Sequence, residues 1–318
     1  MKNHGIMTIM GAGAALLAAD RAGILQRLSE RVTPEHLARE AGLDPLALTR
    51  ILEVFRAYGL LEREGDGYVA TPHFVAELQG PSGKPGAQAF IFDHVDAYLK
   101  TGTTVWNGKT ESRETTYPDV VGALARLFDA PAQDLAEVLA LTDRDRPIRI
   151  LDVGAGSGVW GLAQAQWQPN AKVTLLDLPN VLPRAMERAK SLGLESQVEL
   201  LAGDYFALDL EKHSFDRIIL ANVLHLESAE RAKTLLTRLA PALRPDGKFI
   251  IVDVMTTDSA FEDQQRSTYA LHLALRMPGA QPHHVEVLNE WLTALGFWTR
   301  HMEVSQNFPG LSALFAER

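Results

Sequence analysis

The spacing of hydrophobic positions divides the chain near residue 147. Before that point it is mostly helical. The apolar stretch from Met10 to Ala19 continues past Asp20 and Arg21 into Ile24, Leu25 and Leu28, which with Leu17 predicts an amphipathic helix. Thr33-Pro34-Glu35 supplies an N-cap, a first-turn proline and a first-turn acid for a helix that stops at Gly42. Asp44-Pro45 repeats the device, with Leu48, Ile51, Leu52 and Phe55 as the apolar face and Gly59 as the stop. Leu60–Glu64 and Tyr68–Ala70 flank Gly65-Asp66-Gly67, a hairpin signal. Further helical segments are expected over 71–78, 87–99, 102–108 and 117–141, with a loop at 80–86 and a polar break at 109–116.

After residue 147 short apolar runs alternate with helical spacing. Strands are predicted at Ile148–Val153, Lys172–Asp177, Val198–Ala202, Phe215–Ala221 and Lys248–Val254, and helices over 159–167, 181–192 and 228–243. Pro245-Asp246-Gly247 reads as a turn into the last of those strands. Alternation with short links predicts an α/β fold with a parallel, doubly wound, Rossmann-like sheet. Ligands in such sheets sit beyond the carboxyl ends of the strands, so the chemistry is sought there.

Composition narrows the classes without choosing one. At 318 residues there is room for two domains, and 46% hydrophobic with 22% charged residues is a soluble, globular balance. No apolar run is long enough for a membrane span. With no cysteine there is no disulfide, thiolate nucleophile or Cys-ligated zinc, and a cytoplasmic setting is the plain reading. No Asp/Glu/His grouping has metal-ligand spacing, so no metal is expected. A net charge of −9 argues against nucleic acid or an anionic membrane as partner. Helix, turn, helix and a two-stranded wing suggest DNA reading. The second helix, however, carries only Arg50 and Arg56 as cations with Glu53 between them, which favours a packing or dimerisation module.

The polar residues beyond the strand ends form one constellation. Gly154-Ala155-Gly156-Ser157-Gly158 follows the first strand of the series and leads into a helix, leaving backbone N–H groups and a positive helix end facing a ligand. Its spacing is G-x-G-x-G, unlike the G-x-G-x-x-G of dinucleotide sites. Asp177 ends the second strand, about 20 residues on, where an acid can accept from a ribose diol or simply cap the next helix. Gly203-Asp204-Tyr205-Phe206 offers an acceptor beside aromatic rings, suited to an adenine. Asn222 and His225 follow the fourth strand.

With Asp152 in front, the glycine loop resembles the [DE]-x-G-x-G-x-G loop of S-adenosylmethionine (SAM) methyltransferases. The segments LDVGAGSG, LLDLPNV (Leu175–Val181), GDYF (Gly203–Phe206), NVLH (Asn222–His225) and LRPDGKFIIVD (Leu243–Asp253) carry the likeness further. From Thr33 onward the chain is similar to the class I small-molecule SAM methyltransferases that include plant O-methyltransferases and many bacterial natural-product enzymes. The DLP element is the most specific piece, since generic SAM enzymes lack it.

The resemblance implies a winged-helix dimerisation domain over 1–100, a helical linker over 101–146 that contributes to the acceptor pocket, and a SAM-binding catalytic domain over 147–318, in a homodimer. It implies that Gly154, Gly156 and Gly158 serve the methionine part of the cofactor, Asp177 the ribose, and Asp204 and Phe206 the adenine, with Asp152 and Leu178 also in the cofactor set. Gly203, Asp204, Tyr205, Phe206 and Asn222 complete the cofactor set, with S-adenosylhomocysteine (SAH) as product. His225 falls on the general base, a task an imidazole suits at neutral pH. The acceptor pocket is expected between the domains, near the segments 90–106 and 261–277, with Tyr98, Trp106, Tyr269, His272 and Met277 as candidate contacts.

Three departures stand out. His225-Leu226-Glu227 replaces the usual His-Asp-Trp, Asp253 replaces a glutamate after the fifth strand, and Ala280–His284 carries no acid where plant enzymes have one. His283 and His284 are read as adjacent surface histidines with a possible part in binding or proton transfer. Glu286–Leu292 matches an E-x-x-x-W-L segment of bacterial relatives, some of which methylate carbon. The expectation is therefore methylation of a small aromatic or polyketide-like acceptor, with oxygen favoured. C- or N-methylation, a SAM-dependent reaction without methyl transfer such as a cyclisation, and a ligand-binding winged-helix regulator stay open.

Overall fold

Local capping explains the first elements. Thr33 Oγ1 accepts from the His36 N–H at 3.3 Å and Asp44 Oδ1 from the Ala47 N–H at 2.7 Å, each beside a first-turn proline. The computed structural model describes residues 6–72, 74–75, 95–104, 125, 128–141, 144–257, 263–304 and 311–318. It divides into two compact units, Met1–Asp93 and His94–Arg318.

In the first unit the helix Ile6–Arg21 ends before the expected pattern does. Gly23 turns through φ +66° and a 3-10 turn, Leu25–Arg27, folds Ile24, Leu25 and Leu28 back into the core. Helices Pro34–Ala41 and Pro45–Ala57 follow, then β1 (Leu61–Glu64) and β2 (Gly67–Ala70), paired antiparallel around the expected turn. Leu28, Leu37, Leu52, Phe55 and Tyr68 form a single core, and the Tyr68 hydroxyl donates to Glu53 Oε1 at 2.5 Å. The helices expected over 71–78 and 87–99 are described only at Thr71–Pro72, Phe74–Val75 and Val95–Thr101, and the loop at 80–86 lies outside the described residues.

The second unit is built on a seven-stranded sheet. Its strands are β3 (Arg149–Val153), β4 (Lys172–Asp177), β5 (Val198–Ala202), β6 (Phe215–Ala221), β7 (Leu243–Val254), β8 (Trp298–Glu303) and β9 (Leu311–Glu317), in the order β5-β4-β3-β6-β7-β9-β8. The first five are parallel, as the alternation with helices Val159–Trp167, Leu182–Ser191 and Ala229–Leu239 requires. Alternate residues go to opposite faces. Ile150, Val173, Ile219 and Ile250 join one core, while Leu151, Leu176, Ile218 and Ile251 join the other.

Several expectations need correction. The sheet is mixed, because β9 pairs antiparallel with both β7 and β8. Pro245-Asp246-Gly247 is not a turn before a strand. It is a bulge within β7, where Phe215 faces Leu243 and Arg217 faces Lys248. The helix over 228–243 is regular only to Leu239 and closes in a 3-10 turn, Ala240–Ala242, since Pro241 has no N–H to continue it. Of the helix expected over 102–108, Gly102–Thr104 is not helical and the rest lies outside the described residues, as does the break at 109–116. Residues 128–140 are helical within the longer segment expected there.

Candidate active site

The carboxyl ends of β4, β3, β6 and β7 are tied by hydrogen bonds into one rim. After β3, Gly154, Gly156 and Gly158 all have left-handed φ values, 65°, 58° and 73°. A Cβ on Gly154 would also lie 2.7 Å from Val223 Cγ2, so only glycine fits between this loop and the chain leaving β6. The loop reaches β4 through Ala155 N to Leu176 O, 3.0 Å, and Gly156 N to Asp177 Oδ2, 2.7 Å.

Asp152 and Asp177 sit on the two sides of that loop. Asp152 is 1% exposed and accepts from the Gly161 N–H at 2.9 Å, holding the helix Val159–Trp167 by its amino end. Burial, helped by the charge of Asp177, pushes its carboxyl up to about 7. Its carboxylate is buried behind the loop, on the N–H of the helix that follows it. Asp177 also has its pKa raised by burial, opposed by hydrogen bonds from Gly156 and Leu178. Leu178 N donates to Oδ1 at 2.7 Å. A carboxylate has about four acceptor positions, so two backbone N–H groups leave Asp177 able to take a diol.

Beyond β5, Gly203 N is held by Asp177 O at 2.9 Å. Asp204 Oδ1 accepts from the Phe206 N–H at 2.8 Å, an Asx turn that presents the other oxygen and the rings of Tyr205 and Phe206, whose centroids are 5.2 Å apart. The Arg231 guanidinium covers one face of Phe206, 4.0 Å from its centroid. Asn222 adopts φ +57° and its N–H donates to Val252 O at 2.8 Å, which turns the chain from β6 toward His225.

His225, 4% exposed, lies in the 3-10 turn Leu224–Leu226. Its Nδ1 is 2.6 Å from Asp253 Oδ1 at the end of β7, and its backbone N–H donates to Asp253 Oδ2 at 3.2 Å. A carboxylate only accepts, so the proton on this ring sits on Nδ1 and Nε2 keeps its lone pair. Gln281 N donates to His225 O at 2.9 Å, which is how the loop without an acid still holds the turn. The Tyr269 hydroxyl is 3.4 Å from His225 Nδ1 and its ring stands edge-on at 5.8 Å.

The remaining candidates separate. Tyr269 and His272 lie parallel on the helix Asp263–Arg276, with centroids 6.3 Å apart. Burial, then Arg276, then His225 push His272 down to about 4, so it is neutral at physiological pH. Met277 is core, packed with Leu226, Leu273 and Ala280 beneath the turn. Tyr98 is half-buried on Val95–Thr101, and among the described residues no side-chain bond or ring contact joins it to the His225 group. Trp106 lies outside the described residues. The reading of His283 as a surface histidine is corrected. His283 is buried, donates from Nε2 to Leu224 O at 2.9 Å and packs edge-on against Trp291. Half-buried His284 caps the helix Val285–Ala294 by accepting from the Glu286 N–H. One ring nitrogen of each is spent on the backbone. Among the described residues no His/Asp/Glu group could hold a metal.

Five parallel strands with a glycine loop after β3, an acid ending β4 and antiparallel strands closing the far edge define a class I methyltransferase fold. Residues 102–298 match the model of the O-methyltransferase domain, and the chain belongs to that family. It is 25% identical over 308 residues to the tetracenomycin polyketide synthesis 8-O-methyl transferase of Streptomyces glaucescens, covering 89% of this chain and 87% of that one. An O-methyltransferase family protein from Burkholderia thailandensis superposes with a TM-score of 0.71 at 18% identity, over 97% and 95% of the two chains. Human N-acetylserotonin methyltransferase, solved with SAM, superposes with a TM-score of 0.70 at 18% identity, over 98% and 96%. The protein is a SAM-dependent methyltransferase acting on a small molecule. The chemistry of the rim fits the cofactor: a side-chain-poor glycine loop, a buried carboxylate with acceptor positions to spare, and an aromatic face.

Proposed function

We propose that this enzyme methylates a hydroxyl of a small aromatic, polyketide-like acceptor, with His225 Nε2 taking the hydroxyl proton. The contact that carries the reading is the 2.6 Å bond between His225 Nδ1 and Asp253 Oδ1. It fixes the ring, selects the tautomer with a basic Nε2, and stabilises the imidazolium once the proton has moved. SAM supplies a methyl group activated by its sulfonium, so little is asked of the protein beyond alignment and the handling of one proton. In this reading Asp177 with Leu178 binds the ribose, Asp204 with Phe206 the adenine, and the Gly154–Gly158 loop the methionine part. Tyr269 and His272 are proposed acceptor contacts, with His272 acting as a neutral hydrogen-bonding group. The likeness to the tetracenomycin polyketide synthesis 8-O-methyl transferase supports a polyketide-like acceptor.

The helix–helix–hairpin pattern of the first unit supports a winged-helix dimerisation module and a homodimer. A cysteine-free chain working in the cytoplasm agrees with the same picture.

Incubation with methyl-labelled SAM and a panel of hydroxylated naphthoates and anthracene-type phenols tests the proposal. His225→Ala should lower kcat by about 10²- to 10⁴-fold in protein that still binds SAM. Asp253→Asn should give a loss of the same order, because the amide no longer selects the tautomer. Label found on carbon or nitrogen, or full activity in His225→Ala, would overturn it.

A further inference from the structure

Glu227, one residue past the catalytic turn, is a buried carboxylate with no part in the proton transfer at His225. It is 2% exposed, and its oxygens reach two different elements. Oε1 accepts from the Tyr205 hydroxyl at 2.8 Å, and Oε2 accepts from Arg231 Nε at 2.5 Å. Tyr205 belongs to the loop after β5, beside Phe206. Arg231 is in the first turn of the helix Ala229–Leu239, and its guanidinium lies on the Phe206 ring. Glu227 N donates to Leu224 O at 3.0 Å, which makes the carboxylate continuous with the turn that carries His225.

A buried anion is costly unless both partners stay in place. If the loop after β5 shifts, Tyr205 and Arg231 shift with it, and Glu227 must follow or lose its compensation. We propose that Glu227 is a positioning residue that transmits occupancy of the adenosine end of the cofactor site to His225. The path runs from Phe206 and Tyr205 through the carboxylate to the Leu224–Leu226 turn. It rests on the reading that the adenine lies against Phe206. A ligand held against that ring fixes the ring, the ring bears on Arg231, and Tyr205 and Arg231 together fix Glu227. By linkage, a well-placed His225 turn favours cofactor binding to the same degree.

The test uses SAH as the probe and the intact chain. Calorimetry reads SAH affinity. NMR of the imidazole, assigned against His225→Gln, reads the His225 signal and its pH titration with and without SAH. In wild type, SAH should bind and move the His225 signal. Tyr205→Phe, which removes only a hydroxyl, should at least halve that movement. Glu227→Gln should abolish it and weaken SAH about 5- to 10-fold, and Arg231→Lys should restore more of it than Arg231→Met. If Glu227→Gln fails to fold, Tyr205→Phe decides alone. A His225 response to SAH that is unchanged in the Tyr205 and Glu227 variants, or absent in wild type that binds SAH, overturns the proposal. Wild type that does not bind SAH overturns instead the cofactor reading beneath it.

Discussion

Replacing Asp177 by alanine removes the carboxylate that holds the Gly156 and Leu178 N–H groups. SAM affinity, measured by calorimetry, should fall by roughly 1–3 kcal/mol, the scale for a buried acceptor lost. An unchanged affinity would move the ribose away from β4. At this scale the sequence was legible wherever a strand end determines the position of the next few residues. Asp177, Asp204, Asn222 and His225 could be named because a parallel sheet gathers its carboxyl ends on one rim. Asp253 was visible as an acid after the fifth strand, yet its bond to His225 depends on β6 and β7 being neighbours. His283 was misread because a histidine pair in a Pro-containing loop looks exposed. Its burial comes from Leu224 and Trp291, which lie 59 residues upstream and in the next helix. Glu227 stood out only as a departure from the family's His-Asp-Trp, and its contacts to Tyr205 and Arg231 did not show because they meet only in three dimensions.

Among the elements, the helix Val159–Trp167 is seated closely enough to be tested by one methyl group. A Cβ on Gly161 would lie 2.8 Å from Asp152 Oδ2, 2.9 Å from Val173 Cγ1 and 3.0 Å from Leu175 Cδ2. Gly161→Ala should therefore cost about 1–3 kcal/mol through overpacking, seen as a lower urea midpoint. An equal or higher midpoint would mean that the helix can slide off the sheet at little cost. Elements with their own punctuation were readable: Thr33-Pro34, Asp44-Pro45 and Gly65-Asp66-Gly67 act through neighbours in sequence. β8 and β9 were not. Trp298–Glu303 is mostly exposed and lacks an alternating pattern, and the buried run Leu311–Glu317 has no period that separates strand from helix. The Pro245–Gly247 bulge looks like a turn because turn chemistry and bulge chemistry call for the same residues.

For the molecule as a whole, two buried groups set opposing pH dependences. The folded chain keeps a proton on Asp152 that the unfolded chain releases near 3.8. That contribution to stability is complete below about pH 4 and is lost as the pH rises through about 7. The folded chain also lacks a proton on His272 that the unfolded chain holds up to 6.5. That contribution is complete above about pH 6.5 and is lost as the pH falls through about 4. Between those limits the two slopes oppose each other. Relative to wild type, Asp152→Asn should turn the slope of stability with pH upward over this window, and His272→Gln should turn it downward. Urea midpoints at pH 4.5 and 6.5 read both signs, and parallel profiles for the two variants would contradict the assignment. The change of hydrophobic spacing near residue 147 falls well inside the second compact unit, His94–Arg318. The boundary between the compact units at Asp93 has no comparable mark.

Strand order also bears on the timing of folding. β9 lies between β7 and β8 and pairs with both, although every other strand precedes it in the chain. As the chain is synthesised, β3 to β7 can assemble around the rim that holds His225, while the outer edge of β7 still presents unpaired N–H and C=O groups. β8 then emerges with no neighbour to join. Its place exists only after Leu311–Glu317 has docked, a contact that reaches back to Lys248. A chain halted after residue 304 should thus hold a nearly built catalytic rim beside an open, sticky edge. Its fate in the cell depends on whether the final strand arrives before another protein finds that edge.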